Sequence, residues 1–168
     1  MSNIKFNGEP AEVSGTIPQA GTKIEDFTVV KQDLSEASLS DFDGKKKVLI
    51  VLPSLDTGVC QKETKEFNEK LADMSDTVGL VISKDLPFTL SRFCGAEGIE
   101  NVIAVSDFRY NDFANQTGVE LVNTPFKGLF YRFVFVLNSD NEVVYTEEVG
   151  DISHEPNYDA ALEALKSA

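Results

Sequence analysis

Two cysteines stand in contrasting settings in this chain, and they are the side chains best suited to covalent chemistry. Cys60 closes the segment Pro53-Ser54-Leu55-Asp56-Thr57-Gly58-Val59-Cys60, which leaves an apolar run and enters a helical pattern. The end of a buried strand feeding a helix start is where α/β proteins place ligand sites. A thiol in the first helical turn lies beside backbone N–H groups that have no intrahelical acceptor, near the positive end of the helix dipole, and both favour a thiolate. Such tuning matters, because a thiol with the ordinary pKa of ~8.5 is only about 3% ionised at pH 7. Thr57 offers a hydroxyl either to the sulfur or to a bound oxygen ligand. The competing reading is structural, since free cysteines are among the most buried residues and Cys60 heads an apolar stripe with Thr64, Phe67 and Leu71.

Cys94 falls in Phe93-Cys94-Gly95-Ala96-Glu97-Gly98, at the predicted C-terminus of a short helix, where the dipole opposes a thiolate. One cysteine placed to attack and one held in reserve beside glycines that can unwind would suit a peroxidatic and resolving pair. A core residue on the Leu90/Phe93 face and a permanent disulfide are the alternatives, and a reducing compartment argues against the disulfide. Arg132, one of only three arginines, opens the apolar strand Phe133 to Leu137. From a strand mouth its guanidinium can hold a thiolate ionised or merely pair with an acid. His154, the single histidine, reads as a solvated turn residue, and two cysteines with one histidine make no zinc site of familiar spacing.

The elements that must position these residues follow from periodicity. Strands are predicted at Phe27 to Val30, Val48 to Leu52, Val78 to Ile82 and Val102 to Val105, with a hairpin of Arg132 to Leu137 and Val143 to Val149 around Asn138-Ser139-Asp140-Asn141. The run Val48-Leu49-Ile50-Val51-Leu52 does not alternate, as befits a central strand covered on both faces. Helices are expected from Cys60 to Leu71 with Lys62, Glu63, Lys65, Glu66, Glu69 and Lys70 on the outer face, from Leu86-Pro87 to Gly95, from Asp107 to Gln116, and from Tyr158 to Lys166. Strands alternating with helices, then a hairpin and a last helix, point to an α/β layered fold with a mixed sheet. No repeat or linker divides the 168 residues, so one domain over 1–168 is expected.

With 15 Lys+Arg against 28 Asp+Glu, a net charge of −13 excludes an obvious nucleic-acid or anionic-membrane surface. The only dense basic run, Lys45-Lys46-Lys47, is expected to solvate a turn before a strand. The segment Met1 to Gly15 holds no signal-peptide core and nowhere do 18 apolar residues run together, which gives the expectation of a cytoplasmic protein.

The spacing P-x-x-x-T-x-x-C of Pro53, Thr57 and Cys60 resembles the active-site signature of peroxiredoxins. Ile17-Pro18-Gln19-Ala20-Gly21, Asp56-Thr57-Gly58-Val59-Cys60, Ser91-Arg92-Phe93-Cys94-Gly95-Ala96-Glu97-Gly98 and Lys127-Gly128-Leu129 before Arg132 are similar to the bacterial thiol peroxidase subfamily, from about Phe6 to Lys166. The resemblance implies a thioredoxin-like fold with a mixed central sheet, flanking helices and an N-terminal extension. It also implies a homodimer that reduces hydrogen peroxide and alkyl or lipid hydroperoxides at the expense of thioredoxin, with no metal or organic cofactor. Cys60 would then be the peroxidatic and Cys94 the resolving cysteine of an intramolecular disulfide. Thr57 and Arg132 would activate sulfur and peroxide, and Pro53, Gly58 and Val59 would surround the substrate. Lys65 departs from the pattern that the resemblance implies, standing where an arginine is expected. Two other classes compete: a general disulfide oxidoreductase, which the missing C-x-x-C disfavours, and a non-catalytic redox sensor, in which Cys60 oxidation only alters a surface.

Overall fold

Strands that are apolar on both sides demand cover on both faces. A computed structural model describing residues 3–168 supplies it; Met1 and Ser2, which open the segment read above for a signal peptide, lie outside the described residues. The chain begins with a hairpin, β1 (Lys5–Phe6) and β2 (Glu9–Pro10), and continues through β3 (Thr28–Lys31), β4 (Glu36–Ser38), β5 (Lys46–Val51), α1 (Gly58–Lys70), β6 (Thr77–Ser83) and α2 (Pro87–Glu97). It closes with β7 (Ile103–Ser106), α3 (Asp112–Thr117), β8 (Phe133–Leu137), β9 (Val143–Glu148) and α4 (Tyr158–Ser167). The main sheet runs β4-β3-β7-β6-β5-β8-β9; β5, β6 and β7 are mutually parallel and the outer pairings are antiparallel. This is the mixed α/β architecture expected from the pattern, in the thioredoxin-like form that the resemblance implied.

The pleat sends Val48, Ile50 and Leu52 to one core layer and Leu49 and Val51 to the other. The first layer lies under α1, α2 and α4 and contains Cys60, Phe67, Leu90, Phe93, Cys94, Ala161 and Leu165. The second packs Phe113, Phe130, Phe133 and Phe135 against Ile4, Ile17 and Ile24 from the N-terminal segment. Both cysteines therefore share one apolar layer.

Four expectations need correction. Lys46 and Lys47 belong to β5 rather than a solvated turn, and buried Lys47 donates from Nζ to Asn141 Oδ1 at 2.6 Å. Glu63 is fully buried, not on the outer face of α1. α2 continues to Glu97, because Gly98, not Gly95, takes the left-handed conformation (φ 64°) and sends its N–H to the Cys94 carbonyl. α3 starts at Asp112, since Asp107 stands outside it as a cap: its carboxylate accepts the N–H groups of Phe113 (3.0 Å) and Ala114 (2.9 Å).

Candidate active site

α1 places Cys60 on its third residue, inside the first turn whose N–H groups have no acceptor within the helix. Thr57 is the N-cap, with extended backbone (φ −111°, ψ 149°), and its carbonyl accepts the Gln61 N–H at 3.0 Å. The loop ahead of it is fastened from the end of β6: the Asp85 carboxylate accepts the Ser54 hydroxyl (2.6 Å), the Leu55 N–H (2.8 Å) and the Ser83 hydroxyl (2.9 Å). Thr57 donates from Oγ1 to the Ser54 carbonyl at 2.9 Å, not to the sulfur. The single hydroxyl proton is thus committed, leaving oxygen lone pairs for a donor.

Arg132 enters from the position just before β8, the antiparallel neighbour of β5. Its Nη1 lies 3.3 Å from Cys60 Sγ and 2.7 Å from Glu63 Oε1, while Nε and Nη2 donate to the Ile152 carbonyl at 3.0 and 2.7 Å. The guanidinium is 3% and the Glu63 side chain 0% exposed, so neither charge is screened by water. Burial opposes the charge on Arg132, but the Glu63 carboxyl and Cys60 together raise its pKa further above the usual value. Burial likewise pushes Glu63 up to about 7, although Arg132 pulls the other way. One buried cation thus serves both a sulfur and a carboxyl group.

A small cleft of about 150 Å³ opens beside this cluster, with Thr57, Gly58 and Arg132 on one side and the apolar Phe6, Val59, Phe126 and Ile152 around it. Phe6 comes from the hairpin β1–β2 and packs edge-on against Phe126, ring centroids 4.9 Å apart. Asp151 sets this wall: its carboxylate accepts the N–H groups of Asn7 (3.2 Å), Gly8 (2.8 Å) and Ser153 (3.0 Å) and the Ser153 hydroxyl (2.8 Å). The bonds from Ser153 lead in holding its pKa down to about 2.

A match to the Redoxin family covers residues 19–162. A thiol peroxidase of Corynebacterium glutamicum is 48% identical over 165 residues, 98% of this chain and 99% of that one; a thiol peroxidase of Leptospira interrogans is 47% identical over 170 residues, 100% and 99% of the two chains. The chain belongs to the thiol peroxidases of the redoxin family. The enzyme is also similar in structure to a peroxiredoxin-like protein from Aquifex aeolicus, with a TM-score of 0.93 at 36% identity over 98% of this chain and 95% of the other. A thiol peroxidase from Chromobacterium violaceum shares the fold at 24% identity, with a TM-score of 0.86 over 98% and 95% of the two chains. Among the described residues no helix is long and apolar enough to cross a membrane.

Thr57, Gly58, Val59 and Arg132 line the cleft, and Arg132 reaches from it to Cys60, which is fully buried behind the lining; Pro53 is buried just past β5 and does not line the cleft. Cys94 sits one turn before the end of α2, 5% exposed, and burial raises its thiol pKa. Both cysteines are free thiols. Lys65 does not enter the site; its ammonium meets Glu97 of α2 at 3.1 Å on the surface. His154 is an exposed turn residue, as its setting suggested.

Sequence reasoning missed Glu63, Asp85, Asp151 and Phe6. Glu63 carried a readable signal, since the third residue after Cys60 falls on the same helix face as Thr64 and Phe67. So did Phe6, followed by Asn7-Gly8, a pair that favours a two-residue hairpin and here takes φ of 48° and 89°. Asp85 and Asp151 act on backbone N–H groups, which leave no trace in residue pattern.

Proposed function

We propose that Cys60 is the peroxidatic and Cys94 the resolving cysteine, and that hydrogen peroxide and alkyl or lipid hydroperoxides are the substrates. The observation that carries this reading is the buried Arg132 guanidinium 3.3 Å from the Cys60 sulfur at a helix N-terminus. The Cys60 thiolate attacks the distal peroxide oxygen, the O–O bond breaks, and the sulfur keeps the attacked oxygen and its hydrogen while the departing oxygen takes the electron pair and one proton from solvent to leave as water or alcohol. Thr57 accepts a hydrogen bond from the peroxide O–H, while Arg132 and the first-turn N–H groups stabilise charge on the leaving oxygen. The apolar wall of Phe6, Val59, Phe126 and Ile152 favours an alkyl substituent on the peroxide.

Cys60 becomes a sulfenic acid, which the Cys94 thiol attacks to form a disulfide with loss of water. A disulfide requires Cα atoms within roughly 7 Å, so one of two buried helical cysteines must leave its packing. The last turn of α2, with Gly95 and Gly98, is the segment we expect to unwind. Thioredoxin then reduces the disulfide. The remaining elements of this reading are one domain, a homodimer and a cytoplasmic setting.

The test is intact-mass analysis after one equivalent of peroxide. Wild type should lose about 2 Da, as one intramolecular disulfide forms, with no covalent dimer. Cys60→Ser should consume no peroxide, whereas Cys94→Ser should consume about one equivalent and stop at the sulfenic acid. Equal residual turnover in the two variants would overturn the assignment.

A further inference from the structure

Glu63 is a fully buried charge-bearing group beside the reacting sulfur that the reaction above leaves without work. Its Oε1 accepts from the same Arg132 nitrogen that reaches Cys60, at 2.7 Å against 3.3 Å, and its Oε2 is buried without a hydrogen-bond partner. A carboxylate held this way keeps one charged oxygen unsolvated, an arrangement that a proton on Oε2 relieves. The surroundings add to the strain. Glu147 of β9 and Glu155 of the loop before α4 both act on Glu63 as like charges. Glu147 accepts from the Asn157 N–H (2.9 and 3.2 Å to its two oxygens) and the Tyr145 hydroxyl (3.2 Å), neutral donors that leave its charge in place, while Glu155 accepts from the Tyr158 hydroxyl (2.8 Å) and meets the exposed Lys62 ammonium (3.1 Å). Arg132 thus serves one sulfur and one carboxyl group directly, with the Glu155 carboxylate in its field.

We propose that Glu63 is a positioning residue that keeps its proton while the site is active, leaving the guanidinium to Cys60 and the peroxide, and that its ionisation at higher pH draws Arg132 away and slows peroxide reduction. The inference rests on the assignment of Cys60 and Arg132 above. The direction of the shift agrees, as burial lifts Glu63 to about 7. A group titrating there is roughly 90% neutral near pH 6 and roughly 90% ionised near pH 8.

The experiment is a stopped-flow pH profile of the second-order rate constant for hydrogen peroxide, divided by the thiolate fraction read from ultraviolet absorbance. In wild type this normalised constant should fall about tenfold with a midpoint near 7. Glu63→Gln should give a flat profile, and Glu63→Asp should restore a titration. Infrared difference spectra of wild type should show a protonated-carboxyl band that disappears over the same range and is absent from Glu63→Gln, a readout that does not depend on turnover. An unchanged profile in Glu63→Gln, or no such band in wild type, overturns the proposal. Peroxide consumption by Cys60→Ser would instead overturn the assignment beneath it, and the infrared band would still report whether Glu63 holds its proton.

Discussion

Replacing Arg132 with methionine separates the two jobs of the guanidinium. On one side it donates to Glu63 at a position with no exposure; on the other it donates toward the Cys60 sulfur. Arg132→Met leaves a buried carboxyl unpaired, and above pH 7, where Glu63 is ionised in wild type, breaking a buried pair by removing one partner costs about 3–5 kcal/mol. At roughly 2–4 °C per kcal/mol for a chain of this size, Tm should fall on the order of 10 °C. The loss should deepen as pH rises. A carboxyl whose pKa is raised on folding binds its proton more tightly in the native state, so its contribution to stability declines above the unfolded value. In wild type that decline spans the range from 4.5 to about 7. Without Arg132 only burial and like charges act, and the decline extends further upward. Adding Glu63→Gln removes the orphaned acid and should restore most of the stability, short of about 1 kcal/mol for the Ile152 carbonyl, which loses both its donors. Peroxide reduction should not return: losing a preorganised donor at the reacting centre costs about 10²–10³ in rate. Urea unfolding at several pH values and stopped-flow peroxide consumption read the two effects separately. Recovery of the rate in the double variant would refute the reasoning, because Arg132 would then be needed only for folding.

Two further outcomes follow from groups outside the reacting cluster. Asp151→Asn should cost about 2 kcal/mol through weakened charge-assisted bonds to Asn7, Gly8 and Ser153, and should lower kcat/KM for an alkyl hydroperoxide more than for hydrogen peroxide. Since the carboxyl is held at about 2 in the folded protein, its stabilisation is present above 3.8 and lost as pH falls toward 2; urea midpoints across that range should converge for variant and wild type. Lys65→Ala, which removes an exposed ion pair to Glu97, should change global stability by less than about 1 kcal/mol yet speed hydrogen exchange in the last turn of α2. Unchanged exchange there would show that the pair does not fasten α2.

The strand β5 and the helices α1 and α4 were legible because burial imposes a period that residue types reveal. Glu63 was misplaced because its charge was weighed above its angular position, although a three-residue step from Cys60 returns to the buried face. Lys47 shows the opposite limit. Its aliphatic stem is buried in β5 and its ammonium reaches Asn141 in the β8–β9 turn, a partner supplied by tertiary structure alone. Asp85, Asp107 and Asp151 were unreadable for a common reason: each serves as an acceptor for backbone N–H groups that a loop would otherwise leave bare. The Cys60 motif could be found from spacing, whereas the cleft beside it is walled by Phe6, whose turn is held by Asp151.

The supports of the two cysteines differ in kind, and that difference bears on which sulfur travels. Around Cys60 the restraints are charge-assisted and at least partly buried: fully buried Arg132 bridges α1 to Ile152, and half-buried Asp85 ties the Ser54-Leu55 turn to the end of β6. Around Cys94 the polar restraints are exposed. Lys65 meets Glu97, and Arg92 pairs with Asp56 with both side chains more than half exposed. Exposed pairs contribute about 0–1 kcal/mol each, against several for a buried one, so local opening should reach the end of α2 before the start of α1. Opening would also change the thiol itself. Burial raises the Cys94 pKa while it is packed beside Leu90 and Phe93, and exposure removes that penalty. On the proposed assignment, Cys94 is therefore a poor nucleophile while Cys60 reacts with peroxide and a better one after the segment that carries it has come loose.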